Sequence, residues 1–414
     1  MIPFSLDGIV NEKYPSHLFS ENFRRKYRET ILLQADVILS TLNSVQNACL
    51  KLEQLKHKEA FRCLIVDEAT QCTEPELLKP LIHSVNKLIL IGDHRQLPAT
   101  VISNISQRAG FERSMFERLN SCNMSIVKLY QQFRMQKEIC NFPSRNFYNG
   151  KLKTHSNIGV NSKIPLMSYF LFDVSEATEK KVKIILEPEI SVPEPNVQAN
   201  ISLYNLEEIN FIIKLLLVIF NRLGYNVNEK SLGNLPKKKL KVSIGVITFY
   251  RGQKQELEKK LRELHFDALL KHVDINTVDS FQGQERDIVI LSCVRALANG
   301  KVGFVRSEKR MNVALTRAKS ALYICINGGS FLGVPYWQRL LNDAKKRDLF
   351  CSIASQISWE KLQNTLKKKD TKQQTPSTIS TSKRIKRPRK RINGSVVTSS
   401  HIRWDQISST FINI

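Results

Sequence analysis

The chain has 414 residues, 42% of them hydrophobic and 24% charged, a balance that excludes a wholly disordered or fibrous protein and allows two compact domains with linkers or tails. The 63 Lys and Arg against 38 Asp and Glu leave a net charge of +25, for which a polyanionic partner is the simplest reason. No apolar run approaches 18 residues, Met1–Tyr14 lacks the pattern of a signal peptide, and the eight Cys never fall in a C-x-x-C pair, so the expectation is an intracellular protein with no membrane association and with buried free thiols.

In chain order, short apolar and β-branched runs predict strands at 37–41 (VILST), 63–67 (CLIVD), 87–92 (KLILIG), 169–174 (YFLFDV), 242–248 (VSIGVIT), 287–294 (DIVILSCV) and 321–326 (ALYICI). Such runs are the mark of strands buried on both faces. Between them, the opening SENFRRKYRETILLQ and the segments 205–223 and 251–265 have helical periodicity. The alternation predicts an α/β chain of parallel sheets flanked by helices. The polar SCNMS stretch sets a boundary, giving a first domain over 1–122, a second over 123–350, and a basic, largely disordered tail over 351–414. Segments 176–197 and 224–240 read as surface excursions of the second domain.

Chemistry enters at the ends of the apolar runs. Asp67 and Glu68 close the run FRCLIV, so they sit at the carboxyl edge of a parallel sheet, where ligands bind. One carboxylate can hold a hydrated Mg²⁺ while its neighbour orients and deprotonates a water, the division of labour that ATP hydrolysis requires; the bland alternative is a strand leaving into an acidic turn. The run KLILIG then leads into Asp93 and HRQLP, which places the amide of Gln96 just beyond the same edge.

The ordered set DEAT, GDHRQLP, QQFRM with FPSRNFYNGKL, ITFYRGQ, VDSFQGQERD and VALTRAK resembles the motifs of superfamily 1B helicases, the family of senataxin and the up-frameshift RNA helicases, from about Ala35 to about Asp348. The resemblance implies two RecA-like domains of the P-loop NTPase type, the first N-terminally incomplete, with ATP and Mg²⁺ as cofactors. It implies catalytic roles for Asp67 (through Mg²⁺), Glu68, Gln96 and the arginines Arg134 and Arg317, whose guanidinium groups suit phosphate oxygens. Gln132, Phe133, Gly283 and Glu285 are then the nucleotide-binding positions, Phe133 standing where the family has a Tyr. Thr41, Thr248, Tyr250, Thr277 and Ser280 are the expected contacts to the nucleic-acid strand, and the ITFYRGQ motif carries Phe249 where a Pro is usual. The implied activity is ATP-driven translocation on single-stranded RNA or DNA by a monomer, with separation of duplexes including RNA:DNA hybrids. Transcription-termination or RNA-processing proteins are the implied partners.

A motor of this kind needs G-x-x-x-x-G-K-[ST], and the only Gly-Lys pairs, Gly150-Lys151 and Gly300-Lys301, lack that context. The expectation is that the loop lies upstream and that the chain as given hydrolyses ATP near background. The alternative is a helicase-shaped nucleic-acid binder that has lost turnover. Residues 361–391 hold 12 Lys or Arg and one Asp, and the compact run SKRIKRPRKR at 382–391 predicts import into the nucleus or a nonspecific polyanion clamp.

Overall fold

A computed structural model of the chain describes residues 5–46, 61–83, 85–159, 164–176, 178–184, 201–225, 227, 240–297, 302–353, 357–367 and 411–413. The chain divides into two compact units. One comprises the described residues of Met1–Gly92, Pro98–Leu119 and Asp370–Ile414; the other takes Asp93–Leu97 and Asn120–Lys369.

The first unit opens with helices α1 (Leu6–Lys13) and α2 (Glu21–Gln34), whose N-caps Ser5 and Ser20 accept from the backbone N–H of Gly8 and Phe23. Arg28 of α2 binds Asp7 and Glu21, tying the two helices together. Strand β1 (Val37–Leu39) pairs in parallel with Phe411–Asn413. Strands β2 (Phe61–Val66) and β3 (Val85–Leu90) are parallel, with Val66 opposite Leu90. Helices α3 (Glu74–Leu78), α4 (Asn104–Arg108) and α5 (Met115–Ser121) complete the unit.

The expectation of strands covered on both faces fails for β2 and β3. Val66 packs with Ala69, Leu77 of α3 and Met115 of α5, whereas Ile65, on the opposite face, is 60% exposed. Side chains alternate across a strand, so covering one face leaves every second residue outside. Cys63 is exposed for the same reason, and Cys122, in the turn after α5, is exposed too, contrary to the expectation of buried thiols; Cys49 lies outside the described residues.

The second unit is built on a six-stranded parallel sheet. Its strands are β6 (Tyr169–Asp173), β9 (Ile244–Thr248), β10 (Val273–Thr277), β11 (Arg286–Ser292), β12 (Ala318–Ile326) and β13 (Phe350–Ser352), in the order β10-β9-β11-β12-β6-β13. Two short parallel strands, β4 (Gln131–Gln132) and β5 (Lys153–Thr154), lie outside it. Alternation along the strands feeds two cores. Val289, Leu291, Ile247, Leu322 and Ile324 pack against helices α6 (Lys137–Phe147), α10 (Glu308–Leu315) and α11 (Pro335–Lys346). Ile288, Ile290, Val246 and Tyr323 face α7 (Leu206–Arg222), α8 (Arg251–Glu263), α9 (Asp267–Leu270) and α12 (Trp359–Thr365). Helices on both faces of a parallel sheet make this a RecA-like α/β domain, and β6, β9, β11 and β12 are the largely buried strands that their apolar runs predict, whereas β10 and β13 are partly exposed.

Two readings need correction. Within 176–197, Glu179–Lys183 forms β7, which pairs antiparallel with β8 (Ile201–Asn205), so part of that surface excursion is a strand. Three lysines and one acid in five residues hide a strand whose apolar anchor is Val182, half-buried against Gly252 of α8. The tail does not begin at 351: Cys351 pairs with Phe172, and α12 buries Leu362, so the second unit continues to about residue 367. Elements this short carry too little periodicity to be read. Most of 224–240 and all of 382–391 lie outside the described residues. Among the described residues no helix is long and apolar enough to cross a membrane.

Candidate nucleotide site and strand-facing edge

In the first unit, Asp67 and Glu68 stand at the carboxyl end of β2, both exposed, as their place in the sequence predicts. Glu68 has φ +50, a left-handed conformation that costs a β-carbon residue about 1 kcal/mol, and the Asp67 carboxylate steadies it by accepting the Glu68 N–H at 2.9 Å. The chain then returns to the sheet: Ala69 N–H donates to the Ile91 carbonyl and Ile91 N–H to that of Val66. Gly92 allows a close approach here, since an added β-carbon would lie 3.0–3.2 Å from Thr70 atoms, which would have to give way. The two motif ends are therefore neighbours by strand register. Neither carboxylate forms an ion pair among the described residues, and no group of three metal-ligating side chains occurs among them. One open carboxylate fits Mg²⁺, which keeps most of its water and takes its other ligands from phosphates.

In the second unit the geometry comes from register between β11 and β12. Arg286 is opposite Ala318, so the residues just before them, Glu285 and Arg317, share the amino edge of the sheet. Arg134, which follows β4, joins them: its Nε donates to Glu285 Oε2 at 2.6 Å and its Nη1 to the Thr316 carbonyl at 3.2 Å. Arg317 is 2% exposed and spreads its guanidinium over the Val313 carbonyl, the Thr316 hydroxyl and Gln96 Oε1, the last at 3.2 Å. Four of the expected residues, Gln96, Arg134, Glu285 and Arg317, thus form one cluster.

Lys319 completes that cluster and was not singled out from the sequence, although it stands two positions after Arg317 in VALTRAK. Its ammonium lies 2.6 Å from Glu285 Oε1. Lys319 first, then Arg134, hold the Glu285 carboxyl below the usual range against the opposing effect of burial. Glu285 does not pair with its sequence neighbour Arg286, whose guanidinium binds Asp274 at 2.6 Å and stacks over Phe281. Two cations on one carboxylate, with Arg317 in the same cluster, leave an excess positive charge suited to a phosphate chain.

The other nucleotide positions separate. Phe133 is 63% exposed and stacks on His155 at 4.7 Å, offering its free face to a base. Gly283 has φ +75 with open space around it, a conformation reserved in practice for glycine. Gln132 departs from expectation. Its oxygen accepts the N–H groups of Arg134 and Met135, and its nitrogen donates to the Met135 carbonyl and Thr154 Oγ1. The amide is committed to shaping the turn that carries Phe133 and Arg134.

The strand candidates of the second unit lie at the opposite, carboxyl edge. Thr277, which ends β10, and Ser280, just beyond it, share a hydroxyl hydrogen bond of 3.0 Å, and Ser280 is exposed. Thr248, which ends β9, and Tyr250, just beyond it, do not face solvent: they are 1% and 5% exposed. The Tyr250 hydroxyl meets Arg295 Nη1 and the Val302 carbonyl, which places its side chain in the loop's interior and corrects the expected contact to a strand. In the first unit, Thr41 is exposed, its hydroxyl donating to Ser44 Oγ at 2.9 Å.

Residues 13–104 match one AAA-domain family model and residues 111–328 match another. The chain is 33% identical over 337 residues to the probable helicase MAGATAMA 3 of Arabidopsis thaliana, covering 80% of this chain and 38% of that protein. It is 35% identical over 341 residues to the probable helicase senataxin of Mus musculus, covering 78% of this chain and 12% of that protein. It therefore spans well under half the length of these curated relatives. Among solved structures, the PRRSV helicase matches 73% of this chain and 49% of that chain, with a TM-score of 0.32 and 15% identity. The chain belongs to the AAA-domain family that these helicases share.

Proposed function

We propose that this chain is the motor portion of an ATP-driven helicase that moves along single-stranded RNA or DNA and separates duplexes, RNA:DNA hybrids among them. The observation that carries the reading is the cluster of Arg134, Arg317, Lys319 and Glu285 with Gln96 at the amino edge of the second sheet. Mg²⁺–ATP, when bound, supplies the reactive γ-phosphoryl group and its charge neutralisation. Asp67 would hold the metal through water, and Glu68 would orient and deprotonate the attacking water. Arg134 and Arg317 would meet charge developing on the phosphoryl oxygens, with Gln96 reporting its presence through its bond to Arg317. Phe133 would stack on the base, and Thr277 and Ser280 would donate to strand phosphates without reading sequence. The relatives named as helicases support the activity. Nuclear import through 382–391, monomeric action and partners in transcription termination or RNA processing are finer parts of the same reading.

The test is strand displacement by the intact gene product. Wild type should separate a duplex only with ATP, and Glu68→Gln should lose about 100-fold or more in turnover while keeping its affinity for the strand. ATP-independent behaviour identical in both proteins would leave only the binding protein of helicase shape.

A further inference from the structure

The loop that carries Gln96 is held by two side chains to which the helicase reading assigns no role. Asp93 is its hub. Oδ1 accepts the Arg95 N–H at 2.9 Å, and Oδ2 accepts Gln96 Nε2 at 3.1 Å and the Tyr148 hydroxyl at 2.6 Å. The Tyr148 hydroxyl in turn accepts from Asn312 Nδ2 at 2.7 Å, and the second hydrogen on that nitrogen goes to the Arg95 carbonyl at 3.0 Å. Tyr148 closes α6 and Asn312 is a fully buried residue of α10, the helix that leads into Arg317.

We propose that Tyr148 and Asn312 are positioning residues that fix the amide of Gln96 so that its oxygen, rather than its nitrogen, meets Arg317. An amide can turn over with almost no change of shape, so only its partners decide which end faces a guanidinium. Asp93 accepts from the Gln96 nitrogen, and this directs Oε1 to Arg317 Nη2. Turned over, the amide would set N–H groups against the guanidinium and its oxygen against a carboxylate. Tyr148 keeps Oδ2 of Asp93 in place for that bond. Burial first, and then the neighbouring Asp93, push the phenol far above its ordinary range, so it stays a donor at every working pH. Asn312 Oδ1 has no hydrogen-bond partner among the described residues, so this side chain is held through its nitrogen alone, by Tyr148 and the Arg95 carbonyl. The inference rests on the reading of Gln96 and Arg317 as a nucleotide-responsive pair.

The experiment is a double-mutant cycle on the intact gene product, read as ATP turnover stimulated by single-stranded RNA. Tyr148→Phe keeps the ring and removes the hydroxyl. It should lower kcat about tenfold, leave KM for ATP within about twofold, and leave the melting temperature close to wild type. In a Gln96→Ala background the same change should cost nothing further, because the residue through which Tyr148 acts is gone. Asn312→Ala, run in the same cycle, should behave alike. Losses that add fully to that of Gln96→Ala, or an unchanged kcat in Tyr148→Phe beside an active wild type, would overturn the inference and leave the motor reading standing. A wild type with no ATP turnover would overturn that reading and this inference with it.

Discussion

Glu208 shows how much a single buried residue can ask of its surroundings. It lies near the start of α7, fully buried, with Oε1 accepting the Cys293 N–H at 2.8 Å and Oε2 the Val294 N–H at 2.9 Å. Those donors favour the charged form, but burial outweighs them and pushes the carboxyl up to about 8. The two amides follow β11, and Val294 has φ +69, a conformation a β-branched residue adopts only when its surroundings impose it. Because the folded value lies above the unfolded one, the folded state binds the extra proton. Stability is therefore fully present below the ordinary glutamate range and is lost as pH rises toward 8. Thermal melts from pH 5 to 8.5 should show wild type losing at least a few degrees, while Glu208→Gln stays flatter. Parallel curves would mean that another group sets the dependence. Neither the burial nor the strain was legible in SLYNLEEIN, where Glu208 looks like any acid in the first turn of a helix.

At the scale of elements, strands announce themselves and their junctions do not. The apolar runs predict β6, β9, β11 and β12 within a few residues because a strand buried on both faces is apolar throughout. The β7–β8 pair was missed because its contribution is one Val and one close approach. A β-carbon on Gly252 would lie 2.7 Å from Val182 Cγ1 and 2.9 Å from the Leu203 carbonyl oxygen. The first neighbour can be trimmed, but the second is backbone. Gly252→Ala should destabilise the protein by about 2 kcal/mol or more, read as a fall in denaturant midpoint. Val182→Ala in the same chain should restore only part of it. Full recovery would show that the carbonyl contact carries no strain.

Charge is the property that belongs to the whole molecule. Of the net +25, residues 361–391 supply 12 cations and one anion, and the rest of the chain is still basic. Affinity for a single strand should fall with salt on a logarithmic slope of about −0.7 per phosphate contact, and deleting 370–391, beyond the folded second unit, should flatten it. An unchanged slope would assign binding wholly to the remaining surface. Deletion of 382–391 should also abolish nuclear accumulation of a fluorescent fusion, and unaltered import would dispose of the targeting role.

The sequence by itself determined the α/β class, the parallel sheets, the family, and the identity of Asp67, Glu68, Gln96, Arg134, Glu285 and Arg317 as candidates. All of these depend on residue type and local order, which a linear pattern retains. Tertiary structure alone decided that β11 and β12 run in a register that sets Glu285 beside Arg317, and that Lys319 shares Glu285 with Arg134. It alone turned Thr248 and Tyr250 inward, and it alone made Tyr148 and Asn312 the holders of the Asp93–Gln96 loop. Hydrogen-bond partners 55 to 221 positions apart are chosen by packing in three dimensions, and spacing along a chain carries no record of that choice.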